Sequence, residues 1–363
     1  MPIPSLFASA TIAGIALNNR LVMAPMTRRM SPGGVPGPEV AAYYRRRAEG
    51  GVGLIITEGT GIADPAALAE ANVPEFHGAS LGGWAQVVAE VQAGGARIFP
   101  QLWHVGSARR SAQTARPDVS AVSPSGLFSP DEPNGEALSE VRIAAIIAAY
   151  SDAAEAAQRI GCDGIELHFA HGYLVDQFLW GPTNRRKDKW GETRWLMARE
   201  VVAACRRAVG PDFPICLRFS QWKQQDYAAR LFETPDELEA FLAPMIDAGA
   251  NIFHCSARRF WEPEFRGSAM NLAGWTKRLS GKPVITVGSV GLDSDFLTTR
   301  VGDDPSADAA RLGRLEDMLA CDEVDLVAVG RALIGDAQWG EKVREGRLDA
   351  IRPFTRTDLA SLD

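Results

Sequence analysis

The sequence predicts a (β/α)₈ barrel of the TIM class, with an N-terminal β-hairpin as a plug and long loops at its C-terminal face. Three observations carry that expectation. Eight short apolar runs are each followed by a helical pattern. The runs are apolar on both faces rather than alternating, as in parallel strands covered on both sides. The GxGxxG turn that would mark the competing fold, a doubly wound open sheet, is missing. The length of 363 residues would suit two average domains, yet a barrel with insertions uses the same length as one. With no linker and no repeat, a single domain over residues 1–363 is expected.

Phe7–Asn18, containing ATIAGIALNN, reads as a small hairpin at the barrel bottom. The strands follow as Leu21–Met26, Leu54–Gly59, Arg97–Trp103, Gly164–Ala170, Ile215–Ser220, Asn251–Ser256, Pro283–Val290 and Leu326–Arg331. The helices are Glu39–Glu49, Ser80–Gly94, Glu140–Ile160 with Ser139 as N-cap, Glu192–Val209, Thr234–Ala248, Ala269–Ser280, Ala307–Ala320 and Gln338–Glu345. Two connections exceed ordinary βα loops: His104–Ser139, a candidate lid, and Gly291–Ser306, either part of the site or surface elaboration. Both follow strands, so both belong to the face where barrel active sites are built.

Composition narrows the partners. Hydrophobic residues make up 46% and charged residues 23%, ordinary for a soluble protein. A net charge of −7 and a pI near 5.4 argue against nucleic acid or an anionic membrane surface as partner. No apolar stretch of about 18 residues predicts a membrane span. The N-terminus lacks the basic start and apolar run of a signal peptide. The five cysteines (Cys162, Cys205, Cys216, Cys255, Cys321) form no CxxC pair, so neither an iron–sulfur nor a structural zinc site is expected. An odd cysteine count without an export signal fits the reducing cytoplasm.

The fourth strand carries the most chemistry. His168 falls near its C-terminal end, and His171 would face the other way if the strand continued unbroken. Gly172 permits a turn there, which would bring His168, His171 and Tyr173 over one cavity. Two imidazoles donating to one oxygen, beside a phenol, can polarise a carbonyl and protonate the neighbouring carbon. Two satisfied structural histidines are the plainer alternative. A zinc pair would need a third ligand, and none stands at useful spacing.

Glycines end the seventh and eighth strands, as Gly288-Ser289 and Gly330-Arg331. Loops there often hold a phosphate, and Arg331 adds a bidentate guanidinium. Arg218 points into the barrel by alternation and needs an acceptor-rich partner, such as a flavin's pyrimidine edge or a core carboxylate. Thr27, Gly59 and Gln101 put neutral hydrogen-bonding groups at the ends of the first three strands. Trp103 is either core packing or a cavity wall. Metal ligands are not expected.

At these residues the chain resembles the Old Yellow Enzyme family, FMN-dependent ene-reductases. The resemblance runs from about Asn19 to Trp339. It is carried in order by NRLVMAPMTR, YYRRRAEGGVGLIITEG, FPQLWHVG, GCDGIELHFAHGYLVDQFL, a degenerate N-R-x-D at Asn184–Asp188, LRFS, VITVGSV and AVGRALI. It implies bound FMN, with Pro25, Met26, Thr27, Gly59 and Gln101 along the ring and Arg218 near N1 and C2=O. Gly288, Ser289, Gly330 and Arg331 would hold the phosphate. His168 and His171 would bind a substrate oxygen, and Tyr173 would protonate Cα. NAD(P)H would be the hydride donor, and an activated alkene conjugated to a carbonyl or nitro group the small-molecule acceptor, in a ping-pong order.

The chain departs from the family where substrate would lie. A His/His pair stands where other members carry His/Asn. Gln221–Tyr227 is an unusual loop whose Trp222, Lys223 and Tyr227 could line the pocket. Lys223 is expected as a solvated loop lysine, with a Schiff base as the alternative. Two further functions stay open: an amine or N-methyl dehydrogenase or demethylase on the same flavin barrel, and a flavin-free phosphate-binding lyase or aldolase. Oligomeric state, a homodimer included, is not legible.

Overall fold

The computed structural model describes residues 3–110, 116–295 and 311–363. Eight parallel strands close into a barrel in sequence order, the eighth pairing with the first through Val327–Leu21, Ala328–Val22 and Val329–Met23. The strands are Leu21–Met23, Leu54–Gly61, Arg97–Trp103, Ile165–His171, Ile215–Lys223, Ile252–Ser256, Val284–Val287 and Leu326–Val329. All eight expected strands exist, and the ends that differ have local causes. Pro25 cannot donate to the ladder, so the first strand stops before it. Gly288, at φ 147°, turns the seventh strand away. Arg331, expected at the end of the eighth, instead opens a short helix, Arg331–Gly335.

The hairpin is present as Ala10–Ile12 against Ile15–Leu17. Its Ile12 and Leu17 pack with the inward residues Val22, Leu54, Phe99, Cys216, Ile252, Ile285 and Leu326, and so close the barrel bottom with apolar surface. The outer faces of the strands bury a larger core against the helices. Ser139 caps the helix Glu140–Arg159 by accepting from the Arg142 N–H.

The expected helix Glu192–Val209 is two pieces, Lys189–Glu192 and Leu196–Val209, separated at Thr193–Trp195. A helix not foreseen, Leu174–Leu179, follows Tyr173 directly. The seventh helix is seen over Leu312–Ala320; Ala307–Ala310 and residues 296–306 of the Gly291–Ser306 connection lie outside the described residues. In the candidate lid, two short strand pairs, Val122–Ser123 with Glu136–Ala137 and Leu127–Ser129 with Glu132–Pro133, fold the chain back on itself. Among the described residues no helix is long and apolar enough to cross a membrane, and no group of three His, Cys, Asp or Glu side chains could hold a metal ion.

Candidate active site

The fourth strand does not run straight to its end. Its register against the fifth slips between Phe169 and His171, so that His171 meets Lys223. His171 and Gly172 then take left-handed backbone angles, φ 66° and 76°. Only glycine takes that conformation freely, and a Cβ on Gly172 would lie 1.8 Å from Gln225 Oε1. Side chains hold the turn: the His171 N–H donates to Ser220 Oγ (3.0 Å) and the Gly172 N–H to Asp176 Oδ2 (2.7 Å). The Gly172 carbonyl accepts from Gln177 and Gln225.

The turn gathers the expected trio. The ring of His168 lies 5.0 Å from that of His171 and 5.0 Å from that of Tyr173, both nearly perpendicular. Trp103 stacks parallel to His168 at 5.9 Å and meets Tyr173 edge-on at 4.8 Å, so it packs directly against two of the three side chains. On the other side, Trp222 stacks on His171 at 4.3 Å and Tyr227 on Trp222 at 5.5 Å.

Protonation states follow from burial. Desolvation, with the Arg218 charge nearby, pushes both His168 and His171 well below the usual imidazole range, so both are neutral near pH 7. The Ala170 N–H points at His168 Nδ1 (3.4 Å). That nitrogen is therefore the acceptor, and Nε2 carries the hydrogen. Burial raises the Tyr173 phenol to about 12, so it keeps its proton to give.

Below the trio lies a polar layer of which sequence reasoning named Gln101 and Arg218 but missed Glu166, His254 and Ser256. Pairing sets His168 beside Arg218 and Arg218 beside His254. Glu166, two residues before His168 and so on the same face, accepts from Gln101 Nε2 (2.7 Å) and lies 2.6 Å from His254 Nδ1. Burial alone would raise Glu166, but the contacts with His254 and the Arg218 charge hold it below the usual carboxylate range. Alternation along the fourth and sixth strands was the available signal for Glu166, His254 and Ser256. Arg218 donates to Ser256 Oγ (3.3 Å), while its buried Nε has no partner.

Lys223 is a correction. It is not a solvated loop residue, because the fifth strand runs on through it. Its side chain is fully buried, with Nζ 2.8 Å from Asp176 Oδ1 and donating to the Ser220 and Gln221 carbonyls. Its ammonium is thus committed to a carboxylate and two carbonyls, an arrangement that lends the Schiff-base alternative no support.

At the opposite side of the mouth, Pro25, Met26 and Thr27 are half-buried. Gly330 faces Met26 closely enough that a Cβ would sit 3.4 Å from its sulfur. Gly59 makes room for Trp103: a Cβ there would fall 2.4 Å from the indole. Gly288 is needed where its chain crosses Ala257–Arg259, and Ser289 Oγ donates to the Arg258 and Ser294 carbonyls. Arg331 donates to the carbonyls of Ser294 (2.8 Å) and Asp295 (3.3 Å), and burial lowers its guanidinium to about 10.

The model of the NADH:flavin oxidoreductase / NADH oxidase family matches residues 5–350. The chain belongs to that family. It is 33% identical over 365 residues to an NADH oxidase of Thermoanaerobacter brockii, a match covering 96% of this chain and 52% of the relative. It is 33% identical over 296 residues to a putative 12-oxophytodienoate reductase-like protein of Arabidopsis thaliana, covering 74% and 89%. The chain spans about half the length of the first two curated relatives it matches. Among solved structures, morphinone reductase in complex with tetrahydroNAD superposes with a TM-score of 0.81 at 28% identity, over 98% of this chain and 94% of that one. An Old Yellow Enzyme from Pichia sp. AKU4542 shares the fold, with a TM-score of 0.81 at 24% identity, over 98% and 90%. The resemblance to the Old Yellow Enzyme family read from the motifs is borne out.

The family's cofactor is FMN, and the residues present fit it. A flavin's pyrimidine edge offers acceptors and an N–H. The buried Arg218 Nε is an unpartnered donor at the barrel mouth. Gln101, whose Nε2 is committed to Glu166, keeps its amide oxygen for an N–H. A half-buried arginine whose pKa desolvation has lowered suits a phosphate.

Proposed function

We propose that this chain binds FMN and, with NAD(P)H as hydride donor, reduces the C=C bond of small alkenes conjugated to a carbonyl or nitro group. The observation that carries this reading is the clustering of neutral His168, neutral His171 and protonated Tyr173, ring against ring, beside Arg218. Pro25, Met26, Thr27, Gly59, Gln101 and Arg218 would border the ring system, and Gly288, Ser289, Gly330 and Arg331 the phosphate. FMN, when bound, supplies the redox relay between nicotinamide and alkene. The imidazoles are donors aimed at the oxygen on which negative charge develops during reduction. Neutral imidazole suits that task, since it stabilises charge without surrendering a proton to the wrong atom. Tyr173 holds the proton destined for Cα. Trp103 and Trp222 flank the histidines and orient a planar conjugated acceptor between them. Donor and acceptor would take turns in one cavity, which is a ping-pong order.

The test is direct. Protein reconstituted with FMN should retain a flavin spectrum after desalting. It should also convert a cyclic enone to the saturated ketone at the expense of NAD(P)H. A colourless protein after reconstitution, or nicotinamide oxidation with no saturated product, overturns the proposal.

A further inference from the structure

We infer that Ser256 is a positioning residue that sets the tautomer of His171, so that Nδ1–H, and not Nε2–H, is presented to the substrate oxygen. The inference rests on the proposed role of His171 and adds to it which nitrogen acts and what selects it.

Ser256 ends the sixth strand and faces inward. Its hydroxyl has two neighbours: Arg218 Nη2 at 3.3 Å and His171 Nε2 at 2.8 Å. A guanidinium has donors only, so the contact with Arg218 makes Oγ an acceptor. The hydroxyl retains one hydrogen. Among the described residues, His171 Nε2 is the only other group within hydrogen-bond reach of Oγ. If Nε2 carried the hydrogen, Oγ would accept twice and its own hydrogen would be buried without a partner. If the hydroxyl donates to Nε2, every group in the chain Arg218–Ser256–His171 is satisfied. A neutral imidazole that accepts at Nε2 carries its hydrogen at Nδ1.

The ring is also fixed in plane. Trp222 stacks on it at 4.3 Å, and the Trp222 indole N–H donates to the Ser256 carbonyl (3.1 Å). Ser256 thus holds His171 through its hydroxyl and holds the ring that covers His171 through its carbonyl. His168 is set the opposite way, since the Ala170 N–H occupies its Nδ1. The two imidazoles therefore offer different nitrogens, Nε2–H from one and Nδ1–H from the other, across rings that stand at 89°.

Nitrogen-15 spectra of FMN-loaded protein labelled at histidine test this. The chain has only five histidines, and His171→Gln assigns the signal. In wild type, His171 should appear protonated at Nδ1. Ser256→Ala should shift it toward the Nε2–H form, and Ser256→Thr, which keeps the hydroxyl, should restore the wild-type pattern. Affinity for 4-chlorophenol, whose oxygen stands in for the developing enolate oxygen, should fall about tenfold in Ser256→Ala and recover in Ser256→Thr. A wild-type His171 protonated at Nε2, or an unchanged tautomer in Ser256→Ala, overturns the inference. Unchanged phenol affinity in His171→Ala overturns instead the substrate-binding role on which the inference rests.

Discussion

The ammonium nitrogen of Lys223 stands 2.8 Å from the carboxylate of Asp176, and neither side chain reaches solvent. The pair joins the end of the fifth strand to the helix that begins after Tyr173. Asp176 also receives the Gly172 N–H, so the ion pair, the left-handed turn and the cluster of His168, His171 and Tyr173 form one connected unit. Burial pushes Asp176 up and Lys223 down, and their mutual attraction opposes both shifts.

Lys223→Met leaves a buried carboxylate without its cation. Breaking such a pair from one side costs about 3–5 kcal/mol. Denaturant unfolding should show a loss of that order, and Asp176→Leu added to Lys223→Met should recover much of it. A loss below about 1 kcal/mol would show that the pair does not hold the turn.

Glu58 makes stability depend on pH. Burial raises its carboxyl to about 7, against hydrogen bonds from the Arg28 and Arg29 main chain. The folded state therefore binds this proton more tightly than the unfolded state, where the value is 4.5. The contribution is fully present below 4.5 and is lost as pH rises through about 7. Glu58→Gln removes the ionisation, so its stability relative to wild type should improve between pH 5 and pH 8 by about 2–3 kcal/mol. Unfolding curves at the two pH values measure this, and a pH-independent difference would refute it.

The strands were legible because each is a short, mainly apolar run followed by a helical pattern, and the hairpin because two short apolar stretches flank Ala13-Gly14. His168, His171 and Tyr173 were legible because Gly172 marks a turn at the end of such a run. The pairs Gln101–Glu166, Glu166–His254 and His171–Ser256 were not. Each joins different strands, and which residues meet depends on a register that periodicity does not contain. Lys223 was misjudged for a related reason. Opposite Phe169–His171 the fifth strand carries two extra residues and runs three residues past its expected end at Ser220, burying a lysine that composition places in a loop. The helix Leu174–Leu179 was hidden because it is only six residues long and buries all of them, its Asp176 and Gln177 included, so it shows no apolar-and-polar period.

Arg331→Ala should weaken FMN retention more than substrate binding. A charge-assisted contact with phosphate is worth about 1.5–3 kcal/mol, or roughly 10- to 150-fold in dissociation constant. Flavin fluorescence on titration of the apoprotein reads this. Unchanged FMN affinity in a folded variant removes Arg331 from the phosphate site.

Tyr173→Phe should split the two halves of the reaction. Oxidation of NAD(P)H delivers a hydride and calls on no phenolic proton, so that half should stay near wild type. Enone reduction needs a proton at Cα, and the buried phenol, raised to about 12, is the group that holds one beside His168. Its loss should slow that half by roughly 10²–10⁴-fold, the range for a positioned acid. Phenylalanine keeps the edge contact with Trp103, so cavity shape is preserved and the effect reports the hydroxyl. The deficit should shrink for nitroalkenes, whose nitronate is stable enough to leave before it is protonated. Rapid mixing separates the two halves. Equal slowing of both would mean that Tyr173 shapes the pocket, and undiminished enone reduction would assign the proton to another group or to water.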